Sequence, residues 1–193
     1  MKNRVWVLVV LTVFVVAGII LLRESSVSKD VAGKQSFDES LFTDWKDFRS
    51  VESGFEVKVP SLPQNAREFF QDKTVQQKRF YNIFVTEKPN GSIFTIIIIK
   101  YPKGEAQSTS SLVQGVVDEM MKSNPKNRVV DMKKIQFQNQ DALKFDIINE
   151  QMQMNGIAFS RDDSIIILSY SAHAENHLPQ EYEYFIHSFK LLK

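Results

Sequence analysis

Four consecutive isoleucines, Ile96 to Ile99, limit the fold more than any other feature of the chain. In a strand, successive side chains point to opposite faces, so this run demands apolar cover on both. Such a strand is central to its sheet, with other layers packed above and below. Its neighbour is set by the turn before it. The β-rich runs 79–87 and 92–101 flank Lys88-Pro89-Asn90-Gly91, and Asn-Gly is a strong hairpin signal because both residues tolerate positive φ.

The alternation continues elsewhere. Phe55, Val57 and Val59 share one face of Gly54 to Pro60, with Glu56 and Lys58 on the other. Alternating stretches follow at 129–137, 142–149 and 152–160, and Arg161-Asp162-Asp163-Ser164 turns into Ile165 to Ala172. Connections this short suit an antiparallel meander. Leu112, Val113, Val116, Val117, Met120 and Met121 lie on one helical face behind a Ser111/Gln114 capping box, and Asn124-Pro125 ends the run. A second helix is marked by Tyr182, Phe185, Ile186 and Phe189 at helical spacing behind Pro179, and Leu191-Leu192 reaches a sheet edge. The expected class is α+β: a largely antiparallel sheet with two packed helices, preceded by one N-terminal transmembrane helix.

That last element comes from Val5 to Leu22, 18 residues without a charge, 14 of them Val, Leu, Ile or Phe. As a helix the run spans about 27 Å, close to a hydrocarbon core. It lacks the polar stripe of a core helix. The four large apolar residues Ile19 to Leu22 after Val15-Val16-Ala17 favour an uncleaved anchor over a signal peptide, although Ser26-Val27-Ser28 offers a second cleavage site. Lys2 and Arg4 place the N-terminus inside, so the chain reads as a single-pass protein of the cytoplasmic (inner) membrane. Residues 1–22 are then the signal anchor, 23–44 a flexible tether, and 45–193 a domain facing the periplasm or exterior.

Composition removes several function classes. There is no cysteine, which excludes a disulfide frame, a thiolate metal site and a thiol nucleophile. A formal net charge of +1 creates no field for nucleic acid, and Lys133-Lys134 and Lys78-Arg79 read as solvated strand faces. Seven glycines form no phosphate-binding loop, and no nucleophile elbow is present. Ser110, Ser111 and Ser169 fit caps and strands.

The remaining candidates each have a simpler structural role. His173-Ala174-Glu175-Asn176-His177 would bring two imidazoles and the Glu175 carboxylate near one metal if helical, but its place before Pro179 suits a polar loop. Asp162-Asp163 could serve acid–base chemistry, yet Arg-Asp-Asp-Ser is ordinary turn chemistry. Asn90-Gly91-Ser92 matches a glycosylation acceptor that the hairpin already explains. Trp45 and Phe48, with Phe69 and Phe70, are candidates to flank a groove for an apolar ligand or partner segment, against the commoner role of aromatics as core. No residue is assigned to catalysis, to a cofactor or to a metal.

Trp45, Phe48, Ser50, Gly54-Phe55, Val57, Pro60 and Pro63, with the closing Phe185 and Ser188-Phe189-Lys190, resemble the PsbP-like group. That group includes the extrinsic photosystem II subunit, the DcrB-like envelope proteins of bacteria and a nuclear-import factor that binds the Ran GTPase. The resemblance spans residues 45 to 193 in element order. It implies a binding or accessory protein with no shared catalytic residues. The resulting expectation is a non-enzymatic, membrane-tethered extracytoplasmic protein, monomeric as a soluble domain, with a protein or small ligand as partner and no cofactor. Its rivals are a metal-dependent hydrolase on His173, Glu175 and His177, and a secreted binding protein released by signal cleavage.

Overall fold

The computed structural model describes residues 39–71, 78–102, 124–192 and the helical positions 111, 114, 115, 117, 118 and 121. After a 3-10 turn at Glu39–Phe42 come β1 (Lys46–Ser50), β2 (Phe55–Val59), β3 (Gln64–Gln71), β4 (Lys78–Glu87) and β5 (Ile93–Lys100). Then follow β6 (Arg128–Phe137), β7 (Gln140–Ile148), β8 (Met152–Arg161), β9 (Ser164–His173), helix α1 (Pro179–Ser188) and β10 (Lys190–Leu191). Seven strands form one sheet in the order β3-β4-β5-β9-β8-β7-β6, and β1-β2-β10 form a second. Every pairing is antiparallel.

The isoleucine run occupies the middle of the large sheet, where Ile96, Ile97, Ile98 and Ile99 pair with Leu168, Ile167, Ile166 and Ile165 of β9. Its two faces feed two cores. Ile96 and Ile98 join Phe94, Ile166, Leu168 and Tyr170 beneath α1 and the small sheet. Ile99, Ile165 and Ile167 join Tyr81, Leu143 and Phe145 on the opposite face, where Val117 is buried and Met121 packs.

The small sheet sends Phe55, Val57 and Val59 inward, while Glu56 and Lys58 stay partly exposed. Helix α1 starts at Pro179, whose fixed φ suits a first turn, and buries Tyr182, Phe185 and Ile186. Phe42 stacks on Tyr184 at 4.1 Å and meets Trp45 edge-on, so the packed structure extends back to the 3-10 turn. Arg161 clasps the two sheets: its guanidinium donates to Gly54 O at 3.1 Å and Leu192 O at 2.7 Å. Gly54 there takes φ +73°, a conformation that suits glycine.

Turn chemistry closes the hairpins. Gly91 takes φ 81° and donates to Lys88 O, giving the expected hairpin a longer loop in which glycine alone is left-handed. Gln138 and Asn139 both take positive φ between β6 and β7, as a two-residue turn matched to strand twist requires.

The expected two-helix sandwich with a transmembrane helix needs correction. The described residues are mostly antiparallel strand with one continuous helix, α1, and none of their helices is long and apolar enough to cross a membrane. Residues 5–22 lie outside the described residues. The strand content exceeds the expectation because β1 and β3 are edge strands: Lys46-Asp47-Phe48-Arg49-Ser50 has a single apolar residue, and Gln64 to Gln71 is largely polar. An edge strand with little burial shows weak hydrophobic alternation.

Gly156 tests the packing. It pairs with Phe145 across β7 and β8, and a Cβ at Gly156 would come within 2.2 Å of the Phe145 ring. Phe145 is fully buried and has nowhere to go. Gly156→Ala should destabilise the chain by about 2 kcal/mol in urea denaturation. Combined with Phe145→Ala, the two costs should fall well short of additive.

Candidate functional site

The histidine segment does not assemble as a metal centre. His173 ends β9, and His177 lies in the loop before α1, where its Nε2 meets Asn155 Oδ1 at 2.5 Å. Asn155 in turn donates to Asp146 Oδ1 at 2.6 Å. Burial pushes the His177 imidazole below its ordinary pKa, against the pull of Asp146 and Glu181. Glu175 is exposed, and Asn176 donates to Asn90 O at 3.0 Å, tying the loop to the β4–β5 hairpin. Among the described residues, no group of three or more His, Asp or Glu is placed to hold a metal ion.

Asp162-Asp163 behaves as a turn. Asp162 takes φ 50°, and Asp163 O accepts the Tyr101 N–H at 2.8 Å. The basic pairs divide: Arg79 lies over the Tyr101 ring at 5.4 Å and Lys133 pairs with Asp131 at 2.8 Å.

A polar cluster that sequence reading missed sits between the hairpin turn and α1. Glu181, 3% exposed, ion-pairs with Lys88 from the turn. It lies in the first turn of α1. Tyr170, fully buried, accepts the Leu178 N–H at 3.0 Å, and burial raises its hydroxyl to about pKa 12. Ser92 Oγ and Glu181 Oε2 are buried beside the Tyr170 hydroxyl, with which both side chains interact. The phenol stays protonated and the carboxylate is neutralised by lysine, so the cluster anchors α1 to the hairpin.

The aromatic candidates separate into two groups. Trp45 is core, edge-on to Phe94 at 5.0 Å and Tyr184 at 5.2 Å. Phe48 packs at 5.9 Å from Phe55 and 5.6 Å from Phe84. Phe69, by contrast, is 50% exposed and pairs directly across the strands with Phe80, 54% exposed, their rings 5.0 Å apart. The Phe70 side chain is outside the described residues. Phe80 in turn pairs with Lys100 of β5, which is exposed, placing Phe69, Phe80 and Lys100 along one rung.

Arg67 occupies the same face two residues from Phe69 and bonds Glu52 at 2.5 Å, while Asn82 donates to Ser53 at 2.7 Å. The β1–β2 turn therefore covers the Arg67–Asn82 rung and stops short of the aromatic one. Phe80 was not singled out from the sequence. Its signal was a phenylalanine after Lys78-Arg79 near a strand start, which does not distinguish core from surface.

This architecture, an antiparallel sheet under a small sheet and an aromatic-faced helix, defines a PsbP-like fold. It is similar to the solution structure of cyanobacterial PsbP (CyanoP) from Synechocystis sp. PCC 6803, with a TM-score of 0.55, 8% identity, and coverage of 84% of this chain and 98% of that one. A Pseudomonas aeruginosa protein of unknown function, PA94, matches at a TM-score of 0.41 and 16% identity over 72% of this chain and 89% of that one. No protein-family model and no curated protein matches the sequence. At 8% identity the likeness to CyanoP is one of fold.

The buried ion pair yields a test. Lys88→Met leaves the Glu181 carboxylate buried without its partner and should cost roughly 3 kcal/mol. The double variant Lys88→Met/Glu181→Met should return to within about 1 kcal/mol of the unaltered chain, because an apolar pair replaces both charges. Chemical denaturation of the full chain in detergent measures both.

Proposed function

We propose that the chain is a non-enzymatic accessory protein, held at the outer side of a membrane by its N-terminal apolar run, that docks a protein partner on the Phe69–Phe80 face. The observation that carries this reading is the exposed aromatic pair. Two phenylalanines half open to water, at the rim of a sheet whose centre is buried on both sides, form the kind of apolar surface that marks an interaction site.

Two further observations support it. The polar groups that could suggest chemistry, His177, Asp162, Tyr170 and Glu181, are engaged in turns, pairs and anchoring contacts. The PsbP-like fold agrees with an accessory role. The tethering part rests on the 18-residue uncharged run from Val5 to Leu22. Tethering raises the effective concentration of the domain near membrane partners, so a small patch of modest affinity suffices.

Complementation tests the proposal. In cells lacking the chain, the full-length protein should restore the lost phenotype. An exported version beginning just before Glu39, which keeps Phe42 in the core, should fail at comparable abundance, as should full-length Phe69→Ser/Phe80→Ser. Rescue by the untethered form would refute tethering; rescue by the double variant would refute the docking face.

A further inference from the structure

The two rims of the seven-stranded sheet are built differently. At one, β6 carries a register shift between Val129 and Asp131 and presents Lys133 and Lys134. Bulges and lysines are devices that keep an edge strand from pairing with another chain. At the other, β3 runs in unbroken register with β4 from Gln64↔Val85 to Gln71↔Lys78. Among the described residues its outer side has no ladder partner. A regular edge of this kind offers alternate N–H and C=O groups to an incoming strand.

The side chains beside this rim carry a pattern. Phe69 and Phe80 make the outer two places of one rung apolar, and Lys100 on β5 follows them with a cation. On the next rung Arg67 is exposed although bonded to Glu52. A strand laid along β3 would place its own side chains opposite these at the same two-residue spacing.

We propose that β3 accepts an extended segment of the partner protein as an additional strand, with an apolar side chain on the Phe69 rung and an acidic one on the Arg67 rung. This rests on reading the Phe69–Phe80 face as the docking surface and supplies its mode and the partner's chemistry. Backbone bonds along the rim provide the affinity, and the alternating rungs provide the selectivity. Pairing of two copies through β3 sets like charges opposite each other when centred on Arg67 or Glu68 but not when centred on Phe69. Self-association of the peptide-free chain through β3, read by crosslinking in micelles, would overturn the partner strand in favour of a second copy. A lipid surface would engage the rings without using the rim.

The test titrates the full chain in detergent micelles with a short synthetic peptide that alternates threonine with glutamate, phenylalanine and glutamate. Amide hydrogen exchange is followed residue by residue across 64–71. Strand addition predicts that alternate β3 amides slow by about tenfold or more. A peptide N-methylated at alternate positions should lose this protection, and a lysine-for-glutamate peptide should bind about tenfold more weakly.

Binding without β3 protection, or undiminished by N-methylation, overturns strand addition while leaving the docking face intact. Equal binding of the lysine peptide overturns the acidic partner. Absence of peptide binding, with Phe69-dependent binding to anionic vesicles, overturns the protein partner in favour of lipid. Peptide binding unchanged in Phe69→Ser/Phe80→Ser removes the docking face itself.

Discussion

Burial of the central sheet on both faces is the constraint from which the rest follows. Four isoleucines in a row cannot be served by one core, so the chain supplies apolar cover on each side. One cover is an aromatic lattice in which Trp45, Phe94, Tyr170 and Phe185 meet ring to ring, brought together from β5, β9, α1 and the N-terminal turn. The other centres on Phe145, which uses the space a glycine at position 156 leaves open. Polar groups enclosed by this arrangement need partners within it. Thr86 donates to Ser61 O at 3.0 Å, and Lys88 meets Glu181.

The sheet interior was legible because burial there writes itself into the sequence. The runs 79–87, 92–101, 129–137, 142–149, 152–160 and 165–172 fall on β4 to β9 within a few residues, and Pro179 with Tyr182, Phe185 and Ile186 marks α1. Of the four described edge strands, β6 and β10 were legible and β1 and β3 were not. In β1 and β3 solvent relaxes the demand for alternation, and their pairing is visible only from the partner strand. The expected pair of packed helices gives way to one continuous helix, α1, while the 112–121 run is described only at positions 114, 115, 117, 118 and 121, of which Val117 is buried.

The candidate surface was half visible. Phe69 stood among aromatics suspected of flanking a groove, but Trp45 of the same set is core and Phe48 is half-buried against it. Hydrophobicity alone cannot separate them, because exposure depends on where the overlying layer ends. The β1–β2 turn reaches Arg67 and Asn82 through Glu52 and Ser53 and goes no further. Phe80 lies just beyond it. The Lys88–Glu181 pair was hidden for a similar reason, since its members are 93 residues apart in the chain.

The central claim is that the Phe69–Phe80 pair works at the surface and contributes little to holding the fold. Equilibrium denaturation of the full chain carrying Phe69→Ser/Phe80→Ser, beside Phe94→Ser, tests it most directly. The account predicts a loss of about 1 kcal/mol or less for the exposed pair, the scale of a cross-strand contact, and at least about 3 kcal/mol for the buried ring. A loss of several kcal/mol for the exposed pair, comparable to Phe94→Ser, would make those rings part of the core and contradict the account.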